Sequence, residues 1–107
     1  MNFPIDEPSQ IVYTINVIYE WDENKRLANI EKHGYDLSYG DLVYESIDKV
    51  TFQSNRPHEQ RWCDVAMIEG ELMTLTLTYT VRSNAVRFIS LRKASRKERR
   101  LYYGQNS

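Results

Sequence analysis

Lys32 and His33 stand side by side ahead of Gly34, which sets a cation that can also move a proton next to a side chain that titrates near neutrality. Glu59, within His58-Glu59-Gln60-Arg61, is another group able to move a proton. Arg61, Arg82 and Arg92 keep their protons at any working pH and can only stabilise negative charge. Together these types suit cleavage of an RNA phosphodiester without a metal. That reaction needs a base for the ribose 2′-hydroxyl, an acid for the departing 5′-oxygen and cations around the phosphorane, and it demands no fixed spacing. Each group also has a plain structural reading. Basic residues in the last turn of a helix complement its dipole, and a charged loop around Glu59 is ordinary surface. No GxSxG, HExxH, P-loop or dinucleotide fingerprint occurs, so serine hydrolases, zincins and nucleotide-driven enzymes have no support.

Charge is unevenly distributed along the chain. The net charge of the 107 residues is −1, yet Arg82 to Arg100 holds eight cations and one acid, +7, leaving −8 elsewhere. A basic segment of this kind is the footprint of a phosphate-bearing or acidic partner, or of a face paired with the acidic remainder. The lone Cys63 forms no intramolecular disulfide, and with His33 and His58 as the only imidazoles no zinc spacing can be written. Neither a metal nor another cofactor is implied. Apolar runs reach about three residues, as in Val17-Ile18-Tyr19, against the ~20 a membrane helix requires. The start carries acidic Asp6 and Glu7 rather than a basic, then apolar, leader, so the expectation is a cytoplasmic chain with no membrane partner.

The elements that must position these groups follow from periodicity. The length suits a single domain over 1–107, with 1–10 as a flexible arm and 11–103 as the folded body. Alternation from Ile11 to Trp21 predicts a strand. Asp22 as N-cap and Gly34 as left-handed cap bound a helix over Glu23 to His33, with Lys25, Asn29, Lys32 and His33 on one face. A second, shorter helix follows Asp36 through Leu37, Leu42, Val43 and Tyr44, weakened by Gly40. Lys49 to Arg61 reads mainly as loop, with a short edge strand at Val50-Thr51-Phe52 as an option. Trp62 to Ile68, Leu72 to Val81 and Val86 to Leu91 predict an antiparallel meander, the threonines of the middle strand on its wetter face. Ser95 and Glu98 form a capping box opening a last helix to about Tyr103. The resulting class is α+β: a small antiparallel sheet, two helices in the amino-terminal half and one at the carboxyl end.

That last helix opens with Arg96 and Lys97, the wrong sign for its amino terminus unless an anion sits there, or unless Glu98 already discharges that end. Arg92, Lys93, Arg99 and Arg100 interleave with Tyr102 and Tyr103, a combination that suits single-stranded RNA, while the tyrosines equally suit packing.

The residues also carry a family resemblance. Tyr19-Glu20-Trp21-Asp22, Lys25, Asn29 and Lys32-His33-Gly34, then Glu59, Arg61 and Arg82, then Ile89-Ser90-Leu91-Arg92-Lys93-Ala94, Glu98-Arg99 and Tyr102 together resemble the BrnT toxins over roughly 17–103. Leu91 departs from the alanine often found there, and the first sixteen residues extend beyond the usual start. The resemblance implies a RelE-like fold and a ribonuclease that cleaves mRNA, free or ribosome-bound, and so arrests translation. It further implies neutralisation by a BrnA-like antitoxin with a ribbon-helix-helix part, operator DNA being reached only through that antitoxin. Carried over, the catalytic set is Lys32, His33, Glu59, Arg61, Arg82 and Arg92, and the RNA-binding set is Lys25, Asn29, Lys93, Arg96, Lys97, Arg99 and Tyr102. The competing expectation is a non-catalytic nucleic-acid-binding or protein-interaction module using the same basic segment.

Overall fold

Asp22 separates the first strand from the first helix: its Oδ1 accepts the Lys25 N–H at 3.1 Å. Gly34, at φ 82°, closes that helix in the left-handed conformation, its N–H donating to Ile30 O at 2.8 Å. The computed structural model describes residues 17–54, 56–69 and 72–106. Its order is β1 (Ile18–Trp21), α1 (Glu23–His33), a 3-10 turn (Leu37–Tyr39), α2 (Gly40–Tyr44), β2 (Val50–Ser54), β3 (Arg61–Ile68), β4 (Met73–Arg82), β5 (Ala85–Lys93) and α3 (Arg96–Gln105). The class is α+β, as expected. The expected arm over 1–10 and the strand residues 11–16 lie outside the described residues. Among the described residues no helix is long and apolar enough to cross a membrane.

The five strands lie in the order β1-β5-β4-β3-β2. β2 to β5 pair antiparallel, but β1 runs parallel to β5, with Ile18 opposite Ala85 and Trp21 opposite Phe88, so the sheet is mixed. A strand that leads into a helix returns along the far edge of the meander, and its direction is set by that long connection rather than by a hairpin. Part of the segment read as loop is the full edge strand β2, pairing Val50 with Val65 through Ser54 with Arg61.

Leu75, Leu77, Tyr79, Phe88 and Leu91 point to one face, under α1 and α2, where they are buried with Leu37 and Val43. Gly40 is the contact point. A Cβ there would sit 2.8 Å from Leu77 Cδ1 and 2.9 Å from Phe88 Cδ2, so the glycine that weakens the helix locally lets it approach the sheet. The 3-10 turn before it splits the expected second helix in two.

The opposite face carries Thr74, Thr76, Thr78 and Thr80. It is not the wet face: Thr74, Thr76 and Thr80 are buried. α3 lies across one end of it, where Thr76 donates to Glu98 Oε1 at 2.9 Å and Thr74 Oγ1 meets the Tyr103 hydroxyl at 3.1 Å. At the other end Thr80 donates to Gln60 O at 2.7 Å. Threonine satisfies a buried hydroxyl locally, so a polar alternation signals a covered face as readily as a solvated one.

Candidate active site

The threonine face gathers the arginines through a fault in β5. Thr78 is opposite Ser90 but Tyr79 is opposite Phe88, which leaves Ile89 as an extra residue, a β-bulge. Side chains alternate along a strand, so residues 87 and 90 would face opposite ways without it. The bulge brings Arg87, opposite Thr80, to the same face as Ser90 and Arg92, opposite Thr78 and Thr76. Alternation adds Arg61 and Cys63 from β3 and Arg82 from β4. Between α3 and the loop before β3, the row Cys63, Thr78 and Ser90 forms the middle of this face.

At the α3 end Arg92 and Glu98 meet as a fork: Nη1 to Oε1 at 2.8 Å and Nη2 to Oε2 at 2.9 Å. Glu98 Oε1 also accepts the Thr76 hydroxyl at 2.9 Å and the Ser95 N–H at 2.8 Å, while Ser95 Oγ accepts the Glu98 N–H at 3.2 Å. The capping box therefore forms and discharges the helix start itself, so the argument for a phosphate at the α3 amino terminus loses its motive. The Arg92 guanidinium, against the opposing effect of burial and with help from Ser95 and Thr76, pulls the Glu98 carboxyl down to about 2. A carboxylate held this way fixes the arginine's plane and exchanges no protons near neutrality.

His33, at the carboxyl end of α1, belongs with this group. Its pKa is lowered, first by burial and then by the charges of Lys32 and Arg92. Burial and the two cations thus favour the neutral imidazole, the form able to accept a proton. Lys32 is exposed next to it.

The remaining sequence candidates fall elsewhere. Glu59 Oε1 accepts from Arg61 Nε at 3.2 Å and Oε2 from Arg82 Nη2 at 2.6 Å. The two arginines lower the carboxyl pKa, which makes Glu59 a poor base. Arg82 lies six residues along β4 from Thr76, the partner of Arg92, or roughly 20 Å at about 3.3 Å per residue. The six expected catalytic residues therefore fall into two groups: His33 at the end of α1, with Lys32 beside it in sequence and Arg92 near enough to lower its pKa, and Glu59-Arg61-Arg82 on the threonine face. Between them Arg87 pairs with Glu20 across β5 and β1 at 3.1 Å. Sequence reading missed Arg87 because the bulge that turns it leaves no signature in the residue pattern.

Of the expected RNA-binding set, Lys25, Lys93, Arg96 and Lys97 are exposed. Asn29, Tyr102 and Arg99 are committed to the fold. Asn29 is buried, and its carboxamide donates to Leu91 O at 2.8 Å and Tyr35 O at 2.7 Å while accepting the Leu91 N–H at 3.1 Å. β1 stops at Trp21, opposite Phe88, and this amide takes the place of the missing strand beside Leu91. Tyr102 is buried and donates to Asp48 Oδ2 at 2.8 Å, which is the packing role. Arg99 Nη1 donates to Ala94 O at 2.8 Å.

No match is found among curated proteins. A family model described as "Ribonuclease toxin, BrnT, of type II toxin-antitoxin system" matches residues 21–98, the span from the end of β1 to Glu98 that contains every group of both clusters. The chain belongs to the BrnT family of ribonuclease toxins of type II toxin-antitoxin systems.

Proposed function

We propose that the chain is an endoribonuclease that cleaves mRNA by transesterification and thereby stops translation, with its catalytic centre at Lys32, His33 and Arg92. The observation that carries this reading is His33, whose proton affinity is lowered beside Lys32 and Arg92 in a family of ribonucleases. His33 takes the ribose 2′-hydroxyl proton as that oxygen attacks phosphorus. Arg92, held flat by Glu98, stabilises the charge of the phosphorane, and Lys32 gives a proton to the 5′-oxygen as the P–O5′ bond breaks. The products are a 2′,3′-cyclic phosphate and a 5′-hydroxyl, and exchange with water restores both protons. Lys25, Lys93, Arg96 and Lys97 are exposed cations that supply sequence-independent attraction for the strand.

A test is incubation of purified protein with RNA in EDTA across pH 5–9, with end-group analysis. Cyclic phosphate termini that vanish in His33→Ala are expected. Intact RNA at every pH, together with normal growth on induced expression, overturns the reading.

The type II family carries an antitoxin partner. We infer that it is a BrnA-like protein whose ribbon-helix-helix part binds the operator, and that the pair acts in the cytoplasm. Coexpression with the short adjacent reading frame should restore growth and yield a copurifying complex. Growth arrest unrelieved by that neighbour rules this partner out.

A further inference from the structure

Three charged groups on the threonine face have no part in the centre at Lys32, His33 and Arg92. Glu59, Arg61 and Arg82 are arranged unlike an ordinary surface ion pair. One carboxylate is divided between two guanidiniums, Oε1 on Arg61 at 3.2 Å and Oε2 on Arg82 at 2.6 Å. The two arginines come from neighbouring strands, β3 and β4, so rigid elements fix their separation. The acid comes from the connection before β3, and Thr80 pins that connection only one residue later, at Gln60 O. The pair thus presents donors to two oxygens of a single anion, the pattern by which guanidiniums grip a phosphate. The anion now in place is the chain's own and comes from the connection before β3 rather than from a strand. Glu59 and Arg82 retain 27% and 55% of their side-chain exposure, so the carboxylate can leave without unpacking the sheet.

We propose that Arg61 and Arg82 form a subsite for an RNA backbone phosphate, remote from the scissile one, and that Glu59 is an internal competitor which the strand must displace. The proposal rests on the ribonuclease reading and deepens it. Arg82 lies roughly 20 Å along β4 from the level of Arg92, which places the gripped phosphate several nucleotides from the cleaved bond. Arg87, paired to Glu20 at 3.1 Å on the same face, lies between the two ends of that path. Glu59 then costs affinity for RNA and contributes nothing to proton transfer, the opposite of what a general base does.

The test is Glu59→Gln, a change on a partly exposed connection, compared with the unaltered chain in three measurements. Inorganic phosphate is titrated while the Arg61 and Arg82 Nε–Hε signals are followed by NMR; these should move at lower phosphate in the variant. Binding of an oligoribonucleotide with a 2′-deoxy substitution at the cleavage position should tighten roughly two- to thirtyfold, the scale of releasing two exposed ion pairs. The value of kcat on cleavable RNA should stay within about threefold, since a group that only competes for binding leaves the transition state alone. Arg61→Ala and Arg82→Ala should each raise KM while leaving kcat in place. A hundredfold fall in kcat for Glu59→Gln with unchanged affinity overturns the proposal and makes Glu59 catalytic. Arginine signals equally indifferent to phosphate in both proteins overturn it too. A chain that cleaves no RNA but shows the phosphate shifts refutes the ribonuclease reading and retains the anion site, so the two failures are distinguishable.

Discussion

Replacing Asn29 separates an amide that closes a sheet from an amide that touches RNA. In Asn29→Ala the buried Leu91 N–H and C=O lose partners at 3.1 and 2.8 Å, and Tyr35 O loses one at 2.7 Å. A buried polar group left without a partner costs about 1–3 kcal/mol, so the two Leu91 groups alone give about 2–6 kcal/mol, less whatever an entering water recovers. Set against a total stability of about 5–15 kcal/mol for a small domain, this is a large fraction. In urea unfolding the midpoint should fall by roughly 1–3 M with the slope unchanged. Asn29→Asp sharpens the test. It keeps an acceptor for the Leu91 N–H but faces two carbonyl oxygens with a second one, so at neutral pH it should be no more stable than the alanine variant. Burial raises the carboxyl pKa there, and a protonated acid can donate one bond. Stability relative to Asn29→Ala should therefore recover as pH falls toward that pKa. RNA affinity, measured where the variants remain folded, should stay within twofold of the unaltered chain. A loss below 1 kcal/mol combined with tenfold weaker RNA binding would refute the reasoning and return Asn29 to the RNA-facing set.

Other perturbations test the remaining contacts. Glu98 drops from an ordinary 4.5 to about 2 in the fold, so the folded state binds fewer protons than the unfolded one between those values. Its contribution, on the order of 3 kcal/mol, is complete above pH 4.5 and is lost as pH falls toward 2; Glu98→Gln should flatten that part of a stability-versus-pH curve from urea melts. For His33, the lowered pKa places the acid limb of the kcat/KM profile below the ordinary histidine value, and Arg92→Gln should move it upward by removing a nearby positive charge, a shift readable from the His33 ring protons by NMR. Gly40→Ala gains about 1 kcal/mol of helix propensity but forces a Cβ to 2.8 Å from Leu77 and 2.9 Å from Phe88, and an overpacking cost of about 1–3 kcal/mol should lower the thermal midpoint. A raised midpoint would mean that α2 has room to move away.

Local signals carried much of the fold. Asp22 and Gly34 bound α1 where their cap chemistry demands, and the Ser95–Glu98 box opens α3, because each signal is a hydrogen bond within a few residues. What local pattern does not contain is the partner of each face. The direction of β1 depends on where a long connection returns the chain, and the edge strand β2 is recognisable only beside β3. The threonines of β4 read as solvated because their alternation is polar, and α3 covers them by offering Glu98 and Tyr103 to their hydroxyls.

The site was legible in residue type and illegible in grouping, and Ile89 shows why. Strict alternation through 86–91 puts Val86, Phe88 and Ser90 on one side and Arg87, Ile89 and Leu91 on the other, which splits Arg87 from Arg92 and removes Leu91 from the core. One extra residue corrects both: Leu91 is buried at 1% exposure, and the guanidiniums of residues 87 and 92 face the same way. The bulge therefore couples packing to charge placement. Regular pairing that keeps Ile89 in the ladder has to expose either Leu91 or the apolar pair Val86 and Phe88, and it turns Arg87 away from Arg92; deletion of Ile89 instead leaves Val86, Phe88 and Leu91 on the core face and both arginines on the other. Deletion of Ile89 should therefore leave both the core and RNA binding in place, whereas Arg87→Gln in the intact strand should weaken RNA binding and leave the fold in place.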